Sequence, residues 1–533
     1  MKGVSKGVKV RIDKKRLFVY LIALAVIAVL FYLYIRTPGY RPDFTGTIYI
    51  KADGSVDPST SLVRRDGDLY TFKYDVYGSI VVERDNVVVD GAGYTLQGAG
   101  ANDSKGIILS GRRNVTIRNI EIRAFWHGIY FDNSSNNMVS ENNITTSVRY
   151  GIWFSESSRN IVSENNVRNN GYGAYLEYSS NNTLSGNCIA DNRYGVYLYR
   201  SSNNTLSEND VTTNNVYGMW LHESSKSNSI CGNNITDNGY GIYFLRFSTL
   251  NSVSGNNIVA NKKQGIWLHH SSENIVAGNS IADNRYGIYL SLGFLGGSSD
   301  NLIYHNNFVN NADQVYIENA TGNHLPPPPP VNVWDNGLEG NYWSDYAGAD
   351  KNRNGIGDSP FLITPLETKQ YDRYPLMGMF FSVNTSVGYD VNIISNSTVE
   401  YFAFFESNRT IKICVSNVTV NQTYGFCRIR VPHALMNETD QITVEGAEPY
   451  YVNYTLYDDG HNRWIYFTYQ HSALLVTICS GKTTSSQSLQ KENIIQLRAT
   501  IEGLWVLPSV AVPLGSYSYI NYVYRIVTVY VSM

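Results

Sequence analysis

Eight aromatic side chains recur at one position of a repeated phrase: Tyr130, Trp153, Tyr175, Tyr197, Trp220, Tyr243, Trp267 and Tyr289. Each stands two residues after a glycine, between two apolar residues, as in Gly195-Val-Tyr-Leu. Stacked rings left in the open pack well against the C–H faces of sugars, so this row is a candidate carbohydrate-binding stripe. Two positions further on, Asp132, Glu177, His222 and His269 fall along one edge of it. Glu141 and Glu164 occupy another equivalent position, as close like charges able to hold Ca²⁺ or to raise one pKa.

A second constellation is DKNRNGIGD, residues 350–358. Asp350, Asn352, Asn354 and Asp358 take positions 1, 3, 5 and 9 of an EF-hand-like loop, with Gly355 at the turn. Phe361 stands where the bidentate Glu would be, so a structural Ca²⁺ site is expected rather than a sensor. Of five cysteines, Cys414 and Cys427 sit in neighbouring strand-like segments and are a candidate disulfide. Copper is not favoured, because the seven Met and the His are scattered and only His269 and His270 adjoin.

The elements that must carry these residues follow from the period. The glycine of the phrase falls at 106, 128, 151, 173, 195, 218, 241, 265 and 287, at intervals of 22 to 24 residues. Each period holds three short β-prone runs separated by polar turns, and an Asn follows each glycine by about nine positions. That pattern predicts a right-handed parallel β-helix in which each strand pairs with its equivalent one coil on. Strand alternation places the apolar pair inward and the ring outward. The repeated Asn is structural: it suits left-handed turns, and its amide can bond the same amide above and below. Positions two coils apart lie about 9–10 Å apart, twice the strand spacing. That separation is too long for shared metal ligation by Asp132, Glu177, His222 and His269, though generous for paired carboxylates.

The boundaries expected are a basic cytoplasmic tail at 1–16, a transmembrane signal anchor at 17–35, and the β-helix with its N-terminal cap at 46–345. A C-terminal cap with the calcium loop follows at 346–378, then an immunoglobulin-like β-sandwich at 379–480, and 481–533 is of undetermined structure. Leu17 to Ile35 carries no charge and is just long enough to cross a bilayer. Seven Lys and Arg precede it, which puts the N-terminus in the cytoplasm and the bulk of the chain outside the cell membrane. Asn-x-Ser/Thr sequons such as Asn396, Asn417 and Asn453 fit an exterior glycoprotein. After 379 the period gives way to alternating strands at roughly ten-residue spacing. A formal net charge of −3 gives no field for nucleic acid.

The coils resemble those of NosD-type, or CASH-domain (carbohydrate-binding and sugar hydrolase), β-helix proteins. The resemblance rests on the repeated GIYL…SSNNTLSEN and on NYWSDYAGADKNRNGIGDSPF…YDRYPLM from Asn341 to Met377. It covers about residues 46 to 380, and 380–480 resembles the C-terminal β-domain of archaeal surface proteins. It implies either copper delivery to nitrous oxide reductase or polysaccharide binding and processing at the cell surface. Neither the acidic Ca²⁺ cluster of related lyases nor the Asp trio of related hydrolases can be placed residue by residue. The expectation is therefore a membrane-anchored β-helix that binds polysaccharide or another envelope polymer without catalysis. The alternatives are a polysaccharide lyase or glycoside hydrolase, a structural or adhesive envelope component, and a periplasmic copper accessory.

Overall fold

The computed structural model describes residues 45–479, apart from 292–296, 319–329, 365–368, 446–449, 472–473 and the single positions 420 and 440. The proposed anchor at 17–35 and the segment 481–533 lie outside the described residues. Among those described, no helix is long and apolar enough to cross a membrane.

Each 22-to-24-residue period forms one coil of a parallel β-solenoid. A typical coil runs through Tyr194–Tyr199, Thr205–Ser207 and Asp210–Thr212 before Tyr217–His222 opens the next. Every strand pairs in parallel with its equivalent one coil on: Tyr197 with Trp220, Leu206 with Ile230, Val211 with Ile235. The alternation within each strand turns Val196, Leu198, Leu206 and Val211 into a core less than 2% exposed. Like stacks on like along the axis, as in Phe131 on Phe154 at 4.5 Å. Coiling starts at Thr45–Ile50, which pairs in parallel with Val76–Val82.

The corners are held by buried asparagine columns. In one, Asn187, Asn209 and Asn233 are each about 1% exposed, and each side-chain amide donates to the next carbonyl oxygen at 2.9 Å. The left-handed geometry, however, falls on other corner residues, such as Asn181 (φ 60°), Asn203 (φ 55°) and Glu208 (φ 55°). The ladder residue and the turn residue are thus different members of the Asn-Asn pair, one selected by hydrogen bonding and the other by backbone shape.

The far end is sealed by aromatic rings and one acid. Phe308, Trp343 and Phe361 stack at 4.3 and 4.6 Å. The Asp372 carboxylate ends the asparagine column, accepting from the backbone N–H of Asn341 (2.7 Å) and the indole of Trp343 (2.9 Å). Burial pushes its pKa up to about 6, against the pull of these donors.

Beyond it, Met379–Asn384, Asp390–Ser395, Tyr424–Pro432, Asn462–Gln470 and Tyr454–Asp458 make one antiparallel sheet. Thr398–Phe405, Thr410–Ser416, Leu474–Cys479, Gln441–Glu445 and Tyr450–Tyr451 make a second. The two share one core that includes Ile413, Ile429, Ile465 and Val476. The expected Cys414–Cys427 bridge is not formed, and both thiols are free. The strands are neighbours in sequence but belong to opposite sheets, and alternation turns Cys414 outward beside Lys412 while Cys427 points into the core.

Candidate functional site: an aromatic wall

The eight aromatics predicted as one stripe do stack in register along the solenoid. Consecutive partners are Tyr130 with Trp153, Trp153 with Tyr175, and so on to Trp267 with Tyr289. In the middle of the row the rings stack almost face to face, with Tyr197 on Trp220 at 4.2 Å and 13°, and Tyr243 on Trp267 at 4.1 Å and 22°, while at the ends Tyr130 is tilted by 42° to Trp153 and Tyr289 meets Trp267 edge-on at 74°. The stripe is less open than expected: Tyr175, Tyr197 and Tyr243 are only 8%, 9% and 5% exposed. The other five, Tyr130, Trp153, Trp220, Trp267 and Tyr289, are half-buried.

A second row accounts for that burial. His127, Tyr150, Tyr172, Tyr194, Tyr217, Tyr240 and Tyr286, each just before the glycine, stand beside the first row. Tyr150 lies 4.8 Å from Tyr175, and Tyr217 lies 5.0 Å from Tyr243. Strict alternation would have sent this row inward. The pleat is interrupted at the glycine, where a Cβ on Gly195 would sit 2.3 Å from the carbonyl oxygen of Gly218 and 3.0 Å from both Val211 and Asn214. The glycine itself faces in, so the residue before it turns out. The signal was a Tyr immediately preceding most of these glycines.

The edge of the wall is neutral where it carries histidines. Tyr197 OH lies 2.8 Å from His222 Nδ1, and Tyr243 OH lies 3.1 Å from His269 Nδ1. Burial lowers the pKa of His222, and burial with the charges of His270 and Arg246 lowers that of His269 to about 4. Asp132, Glu177, His222 and His269 follow one register row but on alternate coils, so no two of them meet. Glu141 and Glu164 are both exposed, at left-handed corners with φ near 57°. Half of the buried side-chain polar atoms found without a partner among the described residues belong to this wall and its margin: His127 Nδ1, Trp153 Nε1, Trp220 Nε1, His222 Nε2 and Gln264 Oε1.

In the 350–358 loop, Asp350 accepts from the backbone N–H groups of Asn354 (2.9 Å) and Gly355 (2.8 Å). Asn354 accepts from Ile356 N–H and Asp358 from Lys351 N–H, each at 2.9 Å. These bonds fold the loop and leave each carboxylate with further lone pairs.

A family model described as periplasmic copper-binding protein (NosD) matches residues 82–263 and 244–348, together half the chain. The chain belongs to the NosD family. A probable ABC transporter binding protein NosD from Stutzerimonas stutzeri is 40% identical over 70 residues, 13% of this chain. The match spans 14% of that relative's length. Among solved structures, a double mutant of the periplasmic alginate epimerase AlgG is similar at 18% identity and a TM-score of 0.40, covering 54% of this chain and 77% of that one. The Azotobacter vinelandii mannuronan C-5 epimerase AlgE6 A-module is similar at 13% identity and 0.38, with 50% and 88% covered. The Dettilon tailspike protein gives 12% and 0.34, with 75% and 88% covered.

The family's description implies copper, and the donor set of this NosD-family chain does not fit it. No group of three or more His, Cys, Asp or Glu is placed to hold a metal ion among the described residues. Met219 and Met436 are fully buried in the two cores, Cys427 is buried, and His222 and His269 have their Nδ1 atoms occupied by tyrosines.

Proposed function

We propose that this NosD-family protein is a cell-surface, membrane-anchored β-helix that binds an extended polysaccharide or similar envelope polymer along its aromatic wall, without transforming it. The observation that carries this reading is the double row of rings. It gives one face of the solenoid a repeat at the strand spacing of about 4.8 Å over roughly eight coils. A polymer of similar repeat can meet the same chemistry at each step, so weak contacts add along its length. In this reading residues 17–35 form the anchor, 379–480 an immunoglobulin-like sandwich, and the 350–358 loop takes Ca²⁺ through Asp350, Asn352, Asn354 and Asp358.

The test is to incubate the full chain with insoluble polysaccharides, with and without Ca²⁺, and to assay both pelleted protein and released sugar. Binding without fragments, lost on changing Trp153, Trp220 and Trp267 to Ala, supports the reading; released fragments sink its non-catalytic part. Calcium is tested by calorimetric titration of wild type against Asp350→Ala, and equal heats remove that site. A second reading, a rigid spacer whose rings only stiffen the solenoid, is favoured by the ring-on-ring stacking of Tyr175, Tyr197 and Tyr243. It wins if no polymer is retained and the triple variant loses stability alone.

A further inference from the structure

The wall has a cationic margin, and its sign selects among polymers. Arg149, Arg193, Lys263 and Arg285 each stand just before the outer-row position, occupied by Tyr150, Tyr194, Gln264 and Tyr286 in turn, and all four are exposed. Each lies against a ring of that row: Arg149 over Tyr150 at 4.9 Å, Arg193 over Tyr194 at 5.3 Å and Arg285 over Tyr286 at 5.2 Å, while Lys263 lies 4.7 Å from the Tyr240 ring centre and donates to its hydroxyl at 2.9 Å. Tyr150, Tyr172, Tyr194, Tyr217 and Tyr240 follow one another in parallel register from coil to coil; Gln264 takes the ring's place on the next coil, and Tyr286 resumes the row beside it. Six strand spacings separate the coil entered at Arg149 from that entered at Arg285, a run of about 29 Å.

Elsewhere on the solenoid several bases are paired with acids: Arg84 with Asp68, Arg118 with Asp90, Arg168 with Asp191, Arg246 with Glu223. None of the four marginal cations takes part in an ion pair among the described residues. Acids do stand on the same turns, at Asp191, Asp237 and Asp283, but each occupies the left-handed corner, with φ of 55–57°, before the buried Asn. The chain thus holds its cations on aromatic faces, by an attraction of about 0.5–1 kcal/mol at exposed sites. That is weak enough for a carboxylate to draw a cation away, and the vacated ring face then becomes free for the sugar carrying it.

We propose that this margin makes the wall a receptor for an acidic polysaccharide, a chain of uronate-type sugars running parallel to the solenoid axis. Arg149, Arg193, Lys263 and Arg285 take its carboxylates, and the outer tyrosines take its ring faces. This rests on the polymer-binding reading above and adds the charge of the ligand.

The test uses the full chain with polygalacturonate and with the same polymer fully methyl-esterified, which keeps the backbone and removes the charge. Affinity is measured at low and at physiological salt, and single-stranded DNA serves as a polyanion without sugar carboxylates. The expected result is binding of polygalacturonate that weakens at least about tenfold on esterification and falls with salt. The combined substitution Arg149→Gln, Arg193→Gln, Lys263→Gln and Arg285→Gln is expected to weaken it at least about tenfold. Arg159→Gln with Lys226→Gln, exposed bases on another turn, is expected to leave it unchanged. Equal binding of the acid and ester forms overturns the charge inference while leaving polymer binding intact; binding of neither form, nor of any neutral polysaccharide, overturns both. Equal or tighter binding of DNA overturns the glycan class. Should the fourfold variant fail to fold, the ester and salt comparisons on wild type still decide.

Discussion

Replacing Asn209 by Ala removes one rung from the middle of a buried asparagine column. Its side chain makes four hydrogen bonds: it donates to Leu184 O and Asn233 Oδ1, each at 2.9 Å, and accepts from Asn187 N (3.1 Å) and Asn187 Nδ2 (2.9 Å). At about 1 kcal/mol net for each bond, the loss is about 4 kcal/mol. Water cannot take over, because the site is 1% exposed. In a solenoid each coil contacts chiefly its neighbours, so the loss stays local. About 4 kcal/mol corresponds to a roughly thousandfold rise in local opening. Native-state hydrogen exchange should show that acceleration at the amides of Cys188–Ala190, Asp210–Thr212 and Asn234–Thr236, while Glu121–Arg123 and Ser280–Ala282 keep their rates. Asn203→Gly, at an exposed corner with φ 55°, should change little, since glycine adopts that conformation freely. Asn209→Asp should be worse than Ala at neutral pH and recover on acidification, because a buried carboxylate in this column has its pKa raised, as Asp372 does. The reasoning fails if Asn209→Ala matches Asn203→Gly, or if exchange accelerates uniformly over all coils.

Three further outcomes are expected. Glu339 is 5% exposed; burial would raise its pKa, but the hydrogen bond with His305 and the charge of Arg428 outweigh it and hold it at about 2. Its contribution is present above the unfolded carboxylate value and lost as the pH falls from about 4.5 toward 2. Trp464, whose indole donates to Glu339 at 3.2 Å, should report that loss in fluorescence compared with Trp464→Phe, and Glu339→Gln should flatten the profile. Gly195→Ala should destabilise by about 1–3 kcal/mol in thermal unfolding, since its Cβ meets the backbone oxygen of Gly218, whereas Gly186→Asn, at a left-handed corner where a Cβ meets only Glu164 Cγ at 3.8 Å, should be nearly neutral. Cys427, whose thiol burial pushes up to about 11, should resist alkylation in the native protein while Cys414 reacts, and non-reducing mass analysis should find no Cys414–Cys427 bridge.

The solenoid was legible because its stabilising features repeat: glycine where backbones of adjacent coils touch, aliphatics in the core, amides at the corners. The outer tyrosine row was not, because the period-two rule assumes an unbroken pleat and Gly195 and its equivalents break it. The same rule, applied to Cys414 and Cys427, would have shown them on opposite faces of their strands, but which sheet each strand joins is a long-range fact. Glu339 carried no local signal, since its partners Arg428 and Trp464 lie 89 and 125 residues away.

The register that joins one coil to the next is nearly the same at every junction from Tyr130 to Tyr289. A gene encoding such a chain is a tandem array, and misaligned recombination between its units adds or removes whole coils while leaving both flanking junctions intact. Length is then a trait that evolution can adjust in steps of one coil, about 4.8 Å at a time. Relatives should differ by insertions and deletions in multiples of 22 to 24 residues, and a designed deletion of residues 195–217 should join Gly218 to Tyr194 as the next unit in a shorter but intact protein.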